Sequence, residues 1–140
     1  MADCVFCSIV RGEAPAKIVR EWDSAIAFVP LDPVVNGHVL VVPRRHVQDA
    51  VESQVLTLLT MSCALDLARE TDASNIITSI GAAATQSIFH LHIHVIPREF
   101  GDDLMVPWGT TSDPHEPHWC AVADDLAAQL IKARGGDDDA

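Results

Sequence analysis

His90, His92 and His94 alternate with Leu91, Ile93 and Val95, and no other stretch of this 140-residue chain restricts its fold as tightly. Successive side chains of a strand point to opposite faces, so an extended segment puts the three imidazoles on one face and the three aliphatic groups on the other. A helix would scatter the rings around its circumference, and the β-branched Ile93, Val95 and Ile96 followed by Pro97 disfavour it further. The spacing therefore predicts a strand with one buried face and one face of imidazoles. Three rings in register repel one another when charged and lose water when neutral, which points to a shared task. Imidazole can ligate a metal, carry protons or attack phosphorus, and the residues around the trio have to choose.

Composition narrows the choice. With 49% hydrophobic residues the chain can bury a core of its own, which predicts one domain over residues 1–134 and an acidic, disordered tail over 135–140. A formal net charge of −11 opposes nucleic-acid backbones and anionic membrane surfaces, so neither is expected as a partner. No apolar run reaches the length of a membrane span, and Met1-Ala2-Asp3-Cys4 lacks the features of a secretory leader. The expected location is the cytoplasm.

Cys4-Val5-Phe6-Cys7 is a C-x2-C pair that fills two corners of a tetrahedral zinc site and leaves two open. A short helix is expected over Ser8–Glu13, stopping at Gly12. Ile18–Glu21 and Ala25–Val29 read as a hairpin, followed by the non-helical connection Leu31-Asp32-Pro33-Val34-Val35. Asn36-Gly37-His38 leads into a strand over Val39–Pro43, with His46 a free imidazole at its end. Ser53 can cap a helix reaching to about Glu70, whose sheet-facing side is read as Val55, Leu58, Leu59, Cys63, Leu65 and Leu67. Asn75–Ile80 is a further strand, and the small residues Gly81–Thr85 form a loop that lets an anion approach backbone N–H groups. Beyond the trio, Gly101–Trp119 carries Trp108, His115, His118 and Trp119, and either lines a pocket or packs on a partner. Asp124–Ala133 reads as an amphipathic helix.

Together these residues resemble the histidine-triad (HIT) family. His90-Leu91-His92-Ile93-His94-Val95-Ile96 fits its alternating signature at every position, and the order C-x2-C, Gly37-His38-Val39-Leu40-Val41-Val42-Pro43, His46, Gln86-Ser87, trio, Pro97-Arg98 extends the likeness over nearly the whole chain. The zinc-containing bacterial branch related to the Hint proteins is most similar. The resemblance implies an α+β fold, with an antiparallel sheet of about five strands, one main helix packed on it and a C-terminal helix, assembled as a homodimer. It implies a nucleotide cleaved at the α-phosphate, with His92 attacking phosphorus, His94 bonding the non-bridging oxygens and Ser87, with Gln86, holding the phosphate or assisting the leaving group. It also implies that His46 and His90 complete a closed Cys2His2 set with Cys4 and Cys7, making zinc structural. Asp32 becomes the residue that holds the ribose once its connection is aligned with a shift.

Relatives usually carry Asn-x-Gly and then Gly-Gln-Ser before the trio. Here Ser79-Ile80-Gly81 and Thr85-Gln86-Ser87 stand instead. The expected function is a hydrolase or transferase acting on a nucleoside phosphoramidate, a nucleoside phosphosulfate or a dinucleoside polyphosphate through a nucleotidyl-histidine intermediate. The alternatives are a nucleotide-binding regulatory module with little turnover, for which the loss of Asn at position 79 speaks, and an open metal site ringed by His90, His92 and His94.

Overall fold

The computed structural model describes residues 4–107 together with 128, 129, 131 and 132. Two compact units divide the chain, residues 1–99 and 100–140. The first holds an antiparallel five-stranded sheet in the order β1-β2-β3-β5-β4, built from β1 (Ile18–Glu21), β2 (Ala25–Phe28), β3 (Val39–Pro43), β4 (Ser74–Ile77) and β5 (Ile93–Pro97). In the second, Leu104 N–H donates to the Asp102 carboxylate at 3.0 Å, and residues 128, 129, 131 and 132 are helical. The sequence features at Trp108, His115, His118 and Trp119, the acidic tail, and most of the expected Asp124–Ala133 helix lie outside the described residues.

Strands β2 and β3 are buried along their whole length, because helices cover both faces of the sheet at its centre. Period-two alternation sorts their residues. Ala25, Ala27, Val39 and Val41 join Leu91, Ile93 and Val95 beneath α2 (Gln54–Ala68), while Ile26, Phe28, Leu40 and Val42 gather around Phe6 of the short helix α1 (Val5–Val10). Ser53 caps α2 as expected, its hydroxyl accepting from Leu56 N–H at 3.3 Å.

The side of α2 that meets the sheet differs from the expectation. Thr60, Cys63, Ala64 and Leu67 are buried, with Leu56, Met61 and Ala68 packed beside them, whereas Val55 (68% exposed), Leu58 (62%), Leu59 and Leu65 face outward. Apolar groups run most of the way around this helix, so their spacing alone does not fix its phase. Thr60 is accommodated because its hydroxyl donates to Leu56 C=O at 2.7 Å.

Three boundaries also move. Helix α1 begins at Val5, ahead of the expected Ser8, with Cys4 at its N-cap, which puts Cys4 and Cys7 one turn apart; Gly12 ends it at φ +74°. Strand β4 stops at Ile77, ahead of the expected Ile80, and Thr78 turns its hydroxyl to donate to His92 C=O at 2.8 Å. The ladder of β5 starts only at Ile93, although Leu91 already joins Ile93 and Val95 in the core beneath α2. Leu91 N–H donates to Val47 C=O at 2.7 Å, so the stretch carrying His90 and His92 is held by a loop bond ahead of the ladder. At the entrance to β3, Gly37 has φ +89° and a Cβ there would stand 3.1 Å from Pro97 Cγ, so only glycine lets the chain turn closely past β5 into His38.

Candidate active site and metal centre

The imidazoles do not all lie on a wet face. His90 is fully buried and His92 nearly so, both edge-on to Phe6 at ring-centre distances of 5.9 and 5.3 Å. Each of the three rings is engaged differently, and the hydrogen bonds fix which nitrogen carries the proton.

His90 Nε2–H donates to Pro43 C=O at 2.9 Å, which leaves Nδ1 as a lone pair. That lone pair lies 3.5 Å from Cys4 Sγ, 3.5 Å from Cys7 Sγ and 3.1 Å from His46 Nδ1, while Cys7 Sγ is 3.3 Å from His46 Nδ1. The four ligand atoms all lie within 4.8 Å of one another. Zinc with nitrogen and sulfur ligands in a tetrahedron separates them by about 3.3–3.8 Å, so the set has nearly the shape of a loaded site. Burial, and then the neighbouring Cys4, raise the Cys7 thiol, and burial lowers His90 to about 4, so at neutral pH His90 offers an uncharged ligand. Burial outweighs the Arg11 guanidinium in setting the Cys7 thiol, and two thiols held beside an imidazole lone pair are what a divalent metal resolves. This Cys2His2 set is closed and fits a structural zinc, fastening α1 and the end of β3 to the histidine segment.

His92 turns the other way. Its Nδ1–H donates to the main-chain carbonyl of His90 at 2.8 Å, so Nε2 carries the free lone pair. Neighbouring His94 is reached through a chain of bonds: Val34 N–H donates to His38 Nδ1 at 3.1 Å, which makes His38 Nε2–H the donor to His94 Nδ1 at 2.9 Å. His94 therefore carries its proton on Nε2. Burial first, then His92 and His38, depress His94 to about 4, and burial lowers His38, so both rings are neutral at pH 7. The rings of His92 and His94 are 5.3 Å apart. A lone pair and an N–H donor thus stand side by side, the pair that nucleophilic displacement with protonation of a leaving group requires.

The three trio rings do not converge on one point, which removes the open metal site as a reading. The expected metal residues come together, as do His92 and His94. Ser87 and Asp32 are exposed, Asp32 in the bend that Val34 ties to His38. Gln86 is only 3% exposed and directs its amide into the protein: Oε1 accepts from Gly81 N–H at 2.8 Å, and Nε2 donates to Gln48 C=O at 2.8 Å and Ile88 C=O at 3.2 Å. His38 was not among the expected site residues. Its signal is the phase of β3: His38 shares a face with Leu40 and Val42, and Leu40 pairs with His94.

Comparison with known proteins gives one picture. A family model described as the HIT domain matches residues 11–101. An uncharacterised HIT-like protein of Mycobacterium tuberculosis is 37% identical over 113 residues, covering 76% of this chain and 78% of that protein. The adenylylsulfatase HINT3 of Arabidopsis thaliana is 37% identical over 117 residues, covering 79% of this chain and 58% of its own length. Among solved structures, that of a zinc-bound histidine triad family protein from Mycobacterium smegmatis superposes with a TM-score of 0.66 at 34% identity, covering 93% of this chain and 96% of the other.

Proposed function

Because this chain belongs to the HIT family, we propose that it is a nucleotidyl hydrolase or transferase that cleaves at the α-phosphate of a nucleoside phosphoramidate, phosphosulfate or dinucleoside polyphosphate. The observation that carries the reading is the opposed pair of tautomers, a lone pair on His92 Nε2 beside a proton on His94 Nε2. His92 Nε2 attacks the α-phosphorus, forming a P–N bond as the bond to the leaving group breaks. His94 bonds a non-bridging oxygen or the departing atom, and water then cleaves the nucleotidyl-imidazole to return free His92 and a nucleoside monophosphate. One hard displacement becomes two easier ones. Ser87 and the N–H groups of the loop before it supply further donors where charge grows, and Asp32 holds the ribose.

Among the three substrate classes, the adenylylsulfatase activity of the Arabidopsis relative supports a nucleoside 5′-phosphosulfate. Bound zinc would cross-link the fold and offer no open coordination position, so the substrate is handled by the protein groups just named and not by the metal. The cytoplasm suits a chain whose Cys4 and Cys7 must stay reduced to serve as ligands. A homodimer is part of the proposal, since Val55, Leu58, Leu59 and Leu65 leave an apolar side of α2 uncovered.

A second reading, a nucleotide-binding module with little turnover, draws on Ser79 and on Thr85, which adopts a left-handed conformation at φ +71° where relatives place glycine. His92→Ala separates the two. In an enzyme it lowers turnover of adenosine 5′-phosphosulfate by at least about a thousandfold while nucleoside monophosphate still binds. Equal, slow turnover by both proteins favours the binding module.

A further inference from the structure

Gly81 to Ser87 holds a conformation that its residues do not choose. Thr85 is β-branched yet sits at φ +71°, ψ +16°, a region where a Cβ crowds the following carbonyl. Such a residue persists only where its surroundings over-determine it. Around Thr85 they do: Ala84 N–H and Gln86 N–H both donate to Gly81 C=O at 3.1 Å, Thr85 N–H donates to Ala82 C=O at 3.0 Å, and Gly81 N–H donates to Gln86 Oε1 at 2.8 Å. The other end of the same amide reaches Gln48 and Ile88. Gln48 lies two residues beyond His46 and next to Val47, whose carbonyl holds Leu91 between His90 and His92. One buried side chain thereby joins the loop, the segment carrying a metal ligand and the approach to the nucleophile.

We infer that Gln86 is a positioning residue, which meets no substrate and instead clamps the 81–87 loop in its strained shape so that the backbone donors and Ser87 face the transferring phosphate. All of its amide hydrogen-bonding directions used here end on main-chain atoms, and at 3% exposure it has no free face to offer a ligand. Thr85 is the counterpart of the clamp: the strain it holds measures how firmly the loop is gripped.

The kinetic part of this inference rests on His92 being the nucleophile, and the conformational part does not. The test is a double-mutant cycle of Thr85→Gly and Gln86→Met in the zinc-loaded full chain, read by thermal melting, by hydrogen exchange at the Gly81 amide and by kinetics on adenosine 5′-phosphoramidate. Thr85→Gly alone is expected to raise the melting midpoint by about 2–4 °C, because it removes the strain. With Met at position 86 the loop relaxes, the gain disappears and Gly81 exchanges at least about tenfold faster. Turnover falls by about tenfold or more through kcat, with KM within about twofold. Should the Met variant fail to fold, Gln86→Glu keeps the acceptor for Gly81 and loses both donors, and the same loss of coupling is expected. Equal gains from Thr85→Gly in both backgrounds would overturn the clamp, as would a raised KM with Gly81 exchange unchanged, which would make Gln86 a substrate ligand. Absence of turnover in the parent protein would count against the proposed function and leave the melting cycle to decide the clamp.

Discussion

His38 Nε2 donates to His94 Nδ1 across 2.9 Å, with the two rings stacked at 29° and 5.2 Å. The bond fixes the proton of His94 on the nitrogen that faces away from β3, and Val34 N–H fixes His38 in turn. A backbone amide thus sets the protonation of a side chain two rings away.

Replacing His38 by Ala should release His94 to either tautomer and lower kcat about 10- to 100-fold, a barrier change of about 1.4–2.7 kcal/mol. His38→Gln, which keeps a neutral donor in reach, should recover part of the loss. Steady-state kinetics of the two variants checks this, and equal activities of both with the parent would remove His38 from the site.

The metal set predicts about one zinc per chain, bound by Cys4, Cys7, His46 and His90. Cys7→Ser should lose the metal and lower the melting midpoint by at least about 8 °C, the shift that about 2 kcal/mol makes in a domain of this size. Because the site has no open position, a chelator added during turnover should act only as fast as zinc leaves. Elemental analysis and melting decide the first point, a chelation time course the second.

Depressed histidines make stability depend on pH with a definite sign. Unfolded histidine takes up its proton near pH 6.5, whereas half-buried His94 does so only at about 4. Between those values the unfolded chain binds more protons, so stability falls as pH drops through this window and is unaffected by this group above it. Denaturant midpoints should decline between about pH 6.5 and about pH 4.5 and stay level between about pH 7 and about pH 8. His90 acts in the same direction, since a proton on it competes with metal.

The outward side of α2 predicts association. Leu58→Glu, at a position 62% exposed, should leave the melting of one chain nearly unchanged and halve the apparent mass in sizing chromatography. An unaltered mass would place the dimer contact elsewhere or make the chain monomeric.

Much of this was legible in the residues because it depends on local period. The alternation of His90–Val95, with Leu91, Ile93 and Val95 together beneath α2 and His90 and His92 against Phe6 on the other side, the hairpin at Trp22–Ser24, and the cap at Ser53 all follow from neighbours in the chain. The C-x2-C spacing foretold one half of the metal set, and the resemblance supplied His46 and His90. What escaped depends on distant partners. The phase of α2 is decided by which side meets Ala25 and Val41, and an almost uniformly apolar helix does not announce it. Gln86 points inward because a carbonyl 38 positions earlier, on Gln48, waits for its amide. His38 becomes part of the site only because β3 pairs with β5 in the register that brings it to His94.

The central claim is that His92 Nε2 becomes bonded to the α-phosphorus during turnover. Rapid acid-free quenching of the zinc-loaded protein with α-phosphorus-labelled adenosine 5′-phosphosulfate, followed by peptide mapping, tests it most directly. The account predicts a base-stable, acid-labile label on the peptide carrying His92, formed within the first turnover and absent from His92→Ala. Turnover with no labelled protein on that timescale, or label on a residue other than His92, would contradict it.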